Sequence, residues 1–357
     1  MAAAGAEPTE HGPDRTDLHQ PPHEPPLTEV VLGVVASLRE QEPMVAEGVP
    51  PALHYLPPYL YKSRWVALGD LVAARERACG ALGNVGGERW ISLRLDGSGF
   101  SSAVRKMRKL GVLEASGFSE RFAEAMVACT RSLMVKVSAM VGYTQSDELV
   151  VFIPPTSIVR GMRQPHSRNG RVTKIATLAA GHVTACFVLE LSKMVLEAGG
   201  NLDGLGEVLP HFDCRMGHWE SWEEAQGLLL WRGYDCSVNG VADAVHHSGV
   251  PGRKQAMALN ARDKVAWLHD NSLLPLPKHQ AYGTVLARVK RRDEVKGADP
   301  RWPDETVSVL RSKIEQLHGP VLELARTCGF CPQPDHSIDA ELATAQAARA
   351  NAAVRQG

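Results

Sequence analysis

The chain has 357 residues, 44% of them hydrophobic and 22% charged, with a formal net charge of -1. That apolar share excludes a fully disordered or collagen-like chain, and the near-neutral total excludes a histone-like polycation while leaving room for a local basic groove. The length predicts about two domains, and seven cysteines scattered along it read as reduced thiols.

The first sixty residues stand apart: nine Asp or Glu against Arg15 and Arg39, and eleven of the 23 prolines. Proline fixes φ and lacks a donor, so residues 1–60 are expected to be an acidic Pro-rich extension, partly disordered. Within it, residues 27–40 have the spacing of a short amphipathic helix, with Val30, Val31, Val34, Val35 and Leu38 on one face. The opening lacks the apolar stretch of a secretory signal. The longest apolar run, residues 176–196, is interrupted by His182, Glu190 and Lys193. A span needs about 20 nearly uncharged residues, so an intracellular protein without a membrane segment is expected.

Residues 61–82 predict a helix with Leu68, Leu71, Val72 and Ala78 on a buried stripe. Residues 89–95 (RWISLRL) alternate as a strand that ends in Asp96-Gly97. A long helical pattern follows over 120–140, then a short strand over 141–144, a turn at Gln145-Ser146-Asp147, a strand over 148–153 stopped by Pro154-Pro155, and a helix over 171–197. This order predicts an α+β domain with an antiparallel hairpin in its sheet. A lone CxxC, Cys328 and Cys331, has no second pair and is expected to be unliganded. Residues 336–357 form an Ala-rich tail.

Two acidic residues are singled out by position. Asp96 ends an apolar strand and Asp147 sits in a hairpin turn, so neighbouring strands would bring both carboxylates to one sheet edge. Like charges so placed resist ionising, and Mg²⁺, which takes one or two carboxylates and completes its shell with water and phosphate oxygens, relieves that cost. Gly97, without a Cβ, allows close approach of its carbonyl. Asp147 equally fits the ordinary role of a turn aspartate bonding its own backbone. Residues 101–180 hold twelve Lys or Arg against five Asp or Glu. The cations gather as Arg105, Lys106, Arg108 and Lys109 after Asp96, and as Arg160, Arg163, Arg168, Arg171 and Lys174 after Asp147. Carboxylates flanked by cations suit a triphosphate, although a solvated helix face has the same composition. No GxxxxGK[ST], GxGxxG, GxSxG or HExxH occurs, which leaves P-loop, Rossmann and hydrolase templates without support.

Taken in order, Leu93-Arg94-Leu95-Asp96-Gly97-Ser98-Gly99-Phe100 and Tyr143-Thr144-Gln145-Ser146-Asp147-Glu148 resemble the DGxxF and QSDE motifs of the tRNA-His guanylyltransferase family and its 3′–5′ polymerase relatives. Further matches are Leu68-Gly69-Asp70, the RxxK of Arg171 and Lys174, Phe212-Asp213-Cys214-Arg215, the WRxxDCxxN of Trp231 to Asn239, Asp263-Lys264 and Tyr282-Gly283-Thr284. The resemblance covers about residues 65–290. It implies a palm-like antiparallel sheet with helices packed on one face, as in polymerase and nucleotide cyclase palms. Residues 61–200 would form the catalytic domain, and 201–335 would complete it and supply RNA and subunit contacts.

The resemblance also implies activation of a tRNA 5′ end with ATP or GTP, followed by 3′–5′ nucleotide addition. Asp96, Gly97 and Asp147 would hold two Mg²⁺, with Glu148 contributing to catalysis. Arg94, Gly97, Ser98, Gly99, Phe100, Ser146, Lys106 and Lys109 would seat the nucleotide. Arg171, Lys174, Arg215, Asn239 and Lys264 would bind triphosphate or RNA. A homotetramer is implied as well. Ser237-Val238-Asn239-Gly240 stands where the guanylyltransferase branch carries HINN, which favours the template-dependent tRNA-repair branch. A non-catalytic RNA-binding or assembly protein on the same scaffold, and a palm-fold cyclase relative, are the alternative readings.

Overall fold

The computed structural model describes residues 62–249, 252–296 and 306–317, together with 27, 29–31, 33, 319, 321 and 324. The Ala-rich tail, the CxxC pair and most of the acidic extension lie outside the described residues. Of the short helix expected over 27–40, residues 27, 29–31 and 33 are described and helical.

The elements run α1 (Lys62–Gly80), β1 (Trp90–Ser98), α2 (Phe100–Lys109), α3 (Glu120–Val137), β2 (Val141–Gln145), β3 (Glu148–Ile153), a two-residue pair β4 (Ile158–Val159) and β5 (Met162–Arg163), and α4 (Val172–Glu197). They continue with β6 (His211–Trp219), α5 (Trp222–His247), α6 (Arg253–Ala258), α7 (Ala261–Asp270), α8 (Lys278–Tyr282), β7 (Thr284–Lys296) and β8 (Thr306–Leu317). The main sheet has six strands in the order β6-β1-β3-β2-β7-β8, every neighbouring pair antiparallel. Strands from before and after residue 200 therefore hydrogen-bond into one sheet.

Local chemistry explains where the helices begin. The Ser119 hydroxyl caps α3 by accepting from the Phe122 amide at 3.2 Å, Ser221 caps α5 by accepting from Glu224, and Asn260 caps α7 by accepting from Asp263. Each satisfies an amide that the helix itself cannot reach. Ser138 closes α3 in the left-handed region at φ 56°.

Helices cover both faces of the sheet, where one covered face is implied by the resemblance. On one side Ile91, Leu93, Leu95, Leu149 and Val151 pack against α2, α3 and α4 through Phe100, Phe122, Leu133 and Phe187. On the other, Trp90, Val150, Phe152 and Trp219 pack against α1 and α5 through Leu68, Val72, Trp222 and Leu228 to Leu230. The cause is visible in β3, whose Leu149 to Phe152 are all buried. A strand apolar on both faces needs cover on both, and each buried side chain of this size contributes about 1.5–3 kcal/mol.

Helix α4 is long and apolar enough, by length and composition alone, to cross a membrane. Here its Ile175, Val183, Phe187 and Leu191 are buried in the first core, while Leu178, Leu189 and Leu196 are exposed.

Two helical glycines separate close packing from open surface. A Cβ at Gly240 would collide with the Gln280 carbonyl where α5 meets α8, whereas one at Gly181 meets nothing within 4 Å. Gly240→Ala is therefore expected to destabilise the fold by about 1–3 kcal/mol, and Gly181→Ala to stabilise it by about 0.5–1 kcal/mol. Thermal unfolding of the two variants checks both signs.

Candidate active site

Register builds the site. On β1, Trp90, Ser92, Arg94 and Asp96 share the face turned toward α1 and α5, because side chains alternate along a strand. Asp96 lies directly opposite Glu148 of β3 on one side and Asp213 of β6 on the other. Three acidic residues thus stand in a row across three adjacent strands.

The β2–β3 hairpin turns on Ser146 and Asp147, with Ser146 at φ 46°, and the Thr144 hydroxyl donates to the Glu148 carbonyl at 2.9 Å across its base. The Gly97 amide donates to the Asp147 carbonyl at 3.0 Å, which fastens the turn to the end of β1. Asp96 and Asp147 therefore share one rim of the sheet. Burial raises the Asp147 carboxyl above its ordinary range, and the negative charge of Asp96 raises it further; the Ser146 hydroxyl, donating at 3.1 Å, acts the other way.

Glu148 is partly buried at the same rim, its side chain 12% exposed. Desolvation pushes its carboxyl up to about 7, against the pull of Arg232 and then Arg94. Its Oε2 accepts from Arg232 Nη2 at 2.5 Å, and that nitrogen also donates to Asp235 at 2.9 Å. Asp235 in turn accepts from the Asn239 side chain at 2.9 Å. On the far side, Arg94 is 6% exposed and grips Glu76 of α1 through two hydrogen bonds, at 2.8 and 2.5 Å. The result is an alternating chain of charge: Glu76, Arg94, Glu148, Arg232, Asp235. The Trp231 ring centroid lies 4.7 Å from the Arg232 guanidinium and 5.9 Å from that of Arg94. Gly69 has no Cβ because the Trp231 indole fills that space.

The sequence-predicted residues divide accordingly. Asp96, Gly97, Asp147, Ser146 and Glu148 come together at the rim, Ser98 and Gly99 lead away from it exposed, and Lys106 and Lys109 are exposed on α2 immediately beyond. Arg215 is exposed on β6, in register with Arg94. Asn239 reaches the rim only through Asp235 and Arg232. Arg94 faces Glu76 inside the fold. Phe100 is core, with ring centroids 4.9 to 5.9 Å from Phe212, Phe187 and Phe122. A Cβ on Gly97 would collide with the Phe100 ring, so this glycine has a packing reason besides carbonyl access. Lys264 sits on α7, whose Val265 and Leu268 form a separate small core with Val241 and Val245 of α5.

Arg171 and Lys174 are not at the rim. Strand β3 carries the chain away from Asp147, and the start of α4 is bound to the segment before β1. The Val85 amide donates to the Gly170 carbonyl at 2.9 Å, the Val172 amide to Gly83 at 3.1 Å, and His166 Nε2 bonds the Arg89 carbonyl at 2.9 Å. Six residues of β1 separate that end from Asp96, roughly 20 Å at strand rise. The exposed Arg160, Arg163, Arg168, Arg171 and Lys174 thus form a second basic surface. An open groove of about 550 Å³ between α3 and α4, lined by Arg131, Ser132 and His182 among others, shares no residue with the rim.

Glu76 joins the site without having been singled out in the sequence, whereas Asp213 and Arg232 lie inside matched motifs that were not assigned to it. The readable signal for Glu76 is a carboxylate on the buried stripe of α1 formed by Leu68, Val72 and Cys79, where charge needs a partner.

Among the described residues no three His, Cys, Asp or Glu side chains are gathered so as to hold a metal ion. Asp147, raised by burial and by the charge of Asp96, and Asp96 beside it nonetheless fit Mg²⁺, which needs no third protein carboxylate when phosphate oxygens and water complete its shell.

An antiparallel sheet with paired carboxylates at a strand–hairpin rim and exposed cations beside them has the chemistry of a nucleotidyl-transfer scaffold. Residues 77–219 match the model of the Thg1 family, tRNAHis guanylyltransferase. An uncharacterized protein of Acanthamoeba polyphaga mimivirus, R259, is 26% identical over 226 residues, covering 59% of this chain and 74% of its own. Among solved structures, a bacterial tRNA(His) guanylyltransferase-like protein in complex with ATP aligns with a TM-score of 0.48 at 21% identity, covering 62% of this chain and 88% of that one. The Saccharomyces cerevisiae tRNA(His) guanylyltransferase aligns with a TM-score of 0.46 at 20% identity, covering 56% and 86%.

The raised carboxyls fix a pH dependence. A carboxyl whose folded pKa exceeds its unfolded value binds protons more tightly when folded, so stability is lost as pH rises between the two values. For Glu148 that window runs from the ordinary glutamate value of 4.5 to about 7, and Asp147 acts with the same sign. The cation-free protein should be less stable at pH 7.5 than at pH 5 by up to about 3 kcal/mol at roughly 1.4 kcal/mol per pKa unit. Glu148→Gln should flatten most of that slope in denaturant unfolding measured across this range.

Proposed function

We propose that the protein is a Mg²⁺-dependent nucleotidyltransferase that activates a tRNA 5′ end with ATP or GTP and adds nucleotides in the 3′–5′ direction, as tRNA 5′-end repair or G−1 addition. The observation that carries this reading is the convergence of Asp96 and Asp147 on one rim beside the exposed cations of α2. Phosphoryl transfer asks of a protein chiefly positioning and neutralisation of charge. Held by Asp96, the Gly97 carbonyl and Asp147, two Mg²⁺ would supply electrostatic stabilisation of the attacking and leaving oxygens. Lys106 and Lys109 are suited to the triphosphate tail, and Ser146 orients Asp147. Arg94 supports the site from within.

The second basic surface, about 20 Å away, is suited to the body of the RNA, since phosphates of one acceptor stem extend over such distances. Ser237-Val238 in place of the guanylyltransferase branch's motif favours template-dependent repair. The protein is read as intracellular and homo-oligomeric.

Incubating the protein with 5′-truncated tRNA and labelled nucleoside triphosphates, with and without Mg²⁺, tests the assignment. Asp96→Asn and Asp147→Asn should each lower incorporation by about 10²- to 10³-fold while circular dichroism stays unchanged. Full activity in either variant would refute it, and tRNA binding by the wild type without incorporation would support the non-catalytic reading. Lys174→Ala should raise the KM for tRNA with little change in kcat, and should shallow the dependence of binding on salt by about one counterion; an equal fall in kcat would place Lys174 at the chemistry instead.

A further inference from the structure

The Arg94 guanidinium divides unequally between two carboxylates. Nε and Nη2 donate to Glu76 at 2.8 and 2.5 Å. Nη1 stands 3.7 Å from Glu148 Oε1, within ion-pair range and too far for a hydrogen bond. Glu148 is held by its other oxygen, which accepts from Arg232 at 2.5 Å. Oε1 is buried and accepts no hydrogen bond. Buried acceptors are nearly always satisfied, and here the nearest donor, Arg94 Nη1, is held out of bonding distance by the fork its guanidinium makes with Glu76. The open oxygen belongs to the residue directly opposite Asp96.

We propose that Glu76 is a positioning residue that withholds Arg94 from Glu148, leaving Glu148 Oε1 open to a divalent cation, or to a water in its shell, beside Asp96. A bidentate fork fixes the position of a guanidinium, and the fork with Glu76 through Nε and Nη2 holds Nη1 at 3.7 Å from Glu148 Oε1. With the charge of Glu76 removed, Arg94 is left buried without its strongest partner. The Trp231 ring bounds its movement on one side, and the nearest anion is Glu148, so Arg94 closes on Oε1. The inference rests on the reading of the rim as a cation site, and its test separates the two.

Glu76→Gln preserves shape and removes the charge. Mn²⁺ binding to the nucleotide-free protein, followed by electron paramagnetic resonance, should weaken by about 10- to 100-fold, the usual scale for residues that orient metal ligands. The decisive variant is Glu76→Gln with Arg94→Gln. It removes both partners and so leaves no unpaired buried charge, which keeps the test usable if the single variant folds poorly. Withholding predicts that this double variant recovers Mn²⁺ affinity close to the wild type. A purely structural role predicts that it binds no better than Glu76→Gln, and that result overturns the proposal, as do unchanged affinity in Glu76→Gln and a wild type that binds no Mn²⁺. Rescue of Mn²⁺ binding in a protein that incorporates no nucleotide would sustain the positioning role and refute the transferase reading.

Discussion

The site depends on the antiparallel pairing of β1 with β3 and β6. Asp96 is flanked by Glu148 and Asp213 because register puts them there, and neighbouring strands lie only about 4.8 Å apart. A slip of one residue would send Asp96 to the opposite face, into the core around Phe100 and Phe187. The apolar residues that alternate with the site residues, Leu93, Leu95, Leu149 and Val151, therefore fix the functional geometry as much as the acids do. Their burial holds the register against the repulsion the acids create.

That repulsion is handled in two ways. Glu148 is compensated inside the protein by Arg232 and Arg94, themselves bound to Asp235 and Glu76. Asp147 is left raised, its burial and the charge of Asp96 opposed by little more than the Ser146 hydroxyl and its own backbone. Helices α1 and α5, which cover this face through its apolar residues, also supply the outer members of the charge chain. A buried ion pair is weak evidence for stability, since desolvation can exceed the Coulombic gain. Its value here is in orientation: Arg232 holds Glu148 in place, Glu76 holds Arg94, and Trp231 lies against both arginines.

The basic residues show how far sequence order can mislead. The cations after Asp96 remain near it because α2 starts at once, with Gly99 turning the chain at φ 71°. Those after Asp147 do not, because an extended strand moves the chain about 3.3 Å per residue and β3 is followed by the pieces β4 and β5 before α4 begins. Arg94 and Phe100 illustrate the same limit. Each lies inside a motif that carries the family resemblance, yet one is spent on Glu76 and the other on an aromatic core.

What the sequence alone determined were the local events: the α1 helix, the QSD hairpin, strands β1 to β3, the long α4, and the two aspartates at strand ends. All follow from periodicity and turn chemistry within a few residues. Only the tertiary structure decided that both faces of the sheet are covered, that Glu76 and Arg232 reach Glu148, that Asp213 stands beside Asp96, and that Arg171 lies at the far end of β1. The reason is physical. Pairing partners across a sheet and charges between layers are set by contacts between residues as much as 149 positions apart, as in Arg75 with Glu224, and no local pattern encodes which of many compatible partners a buried charge will meet.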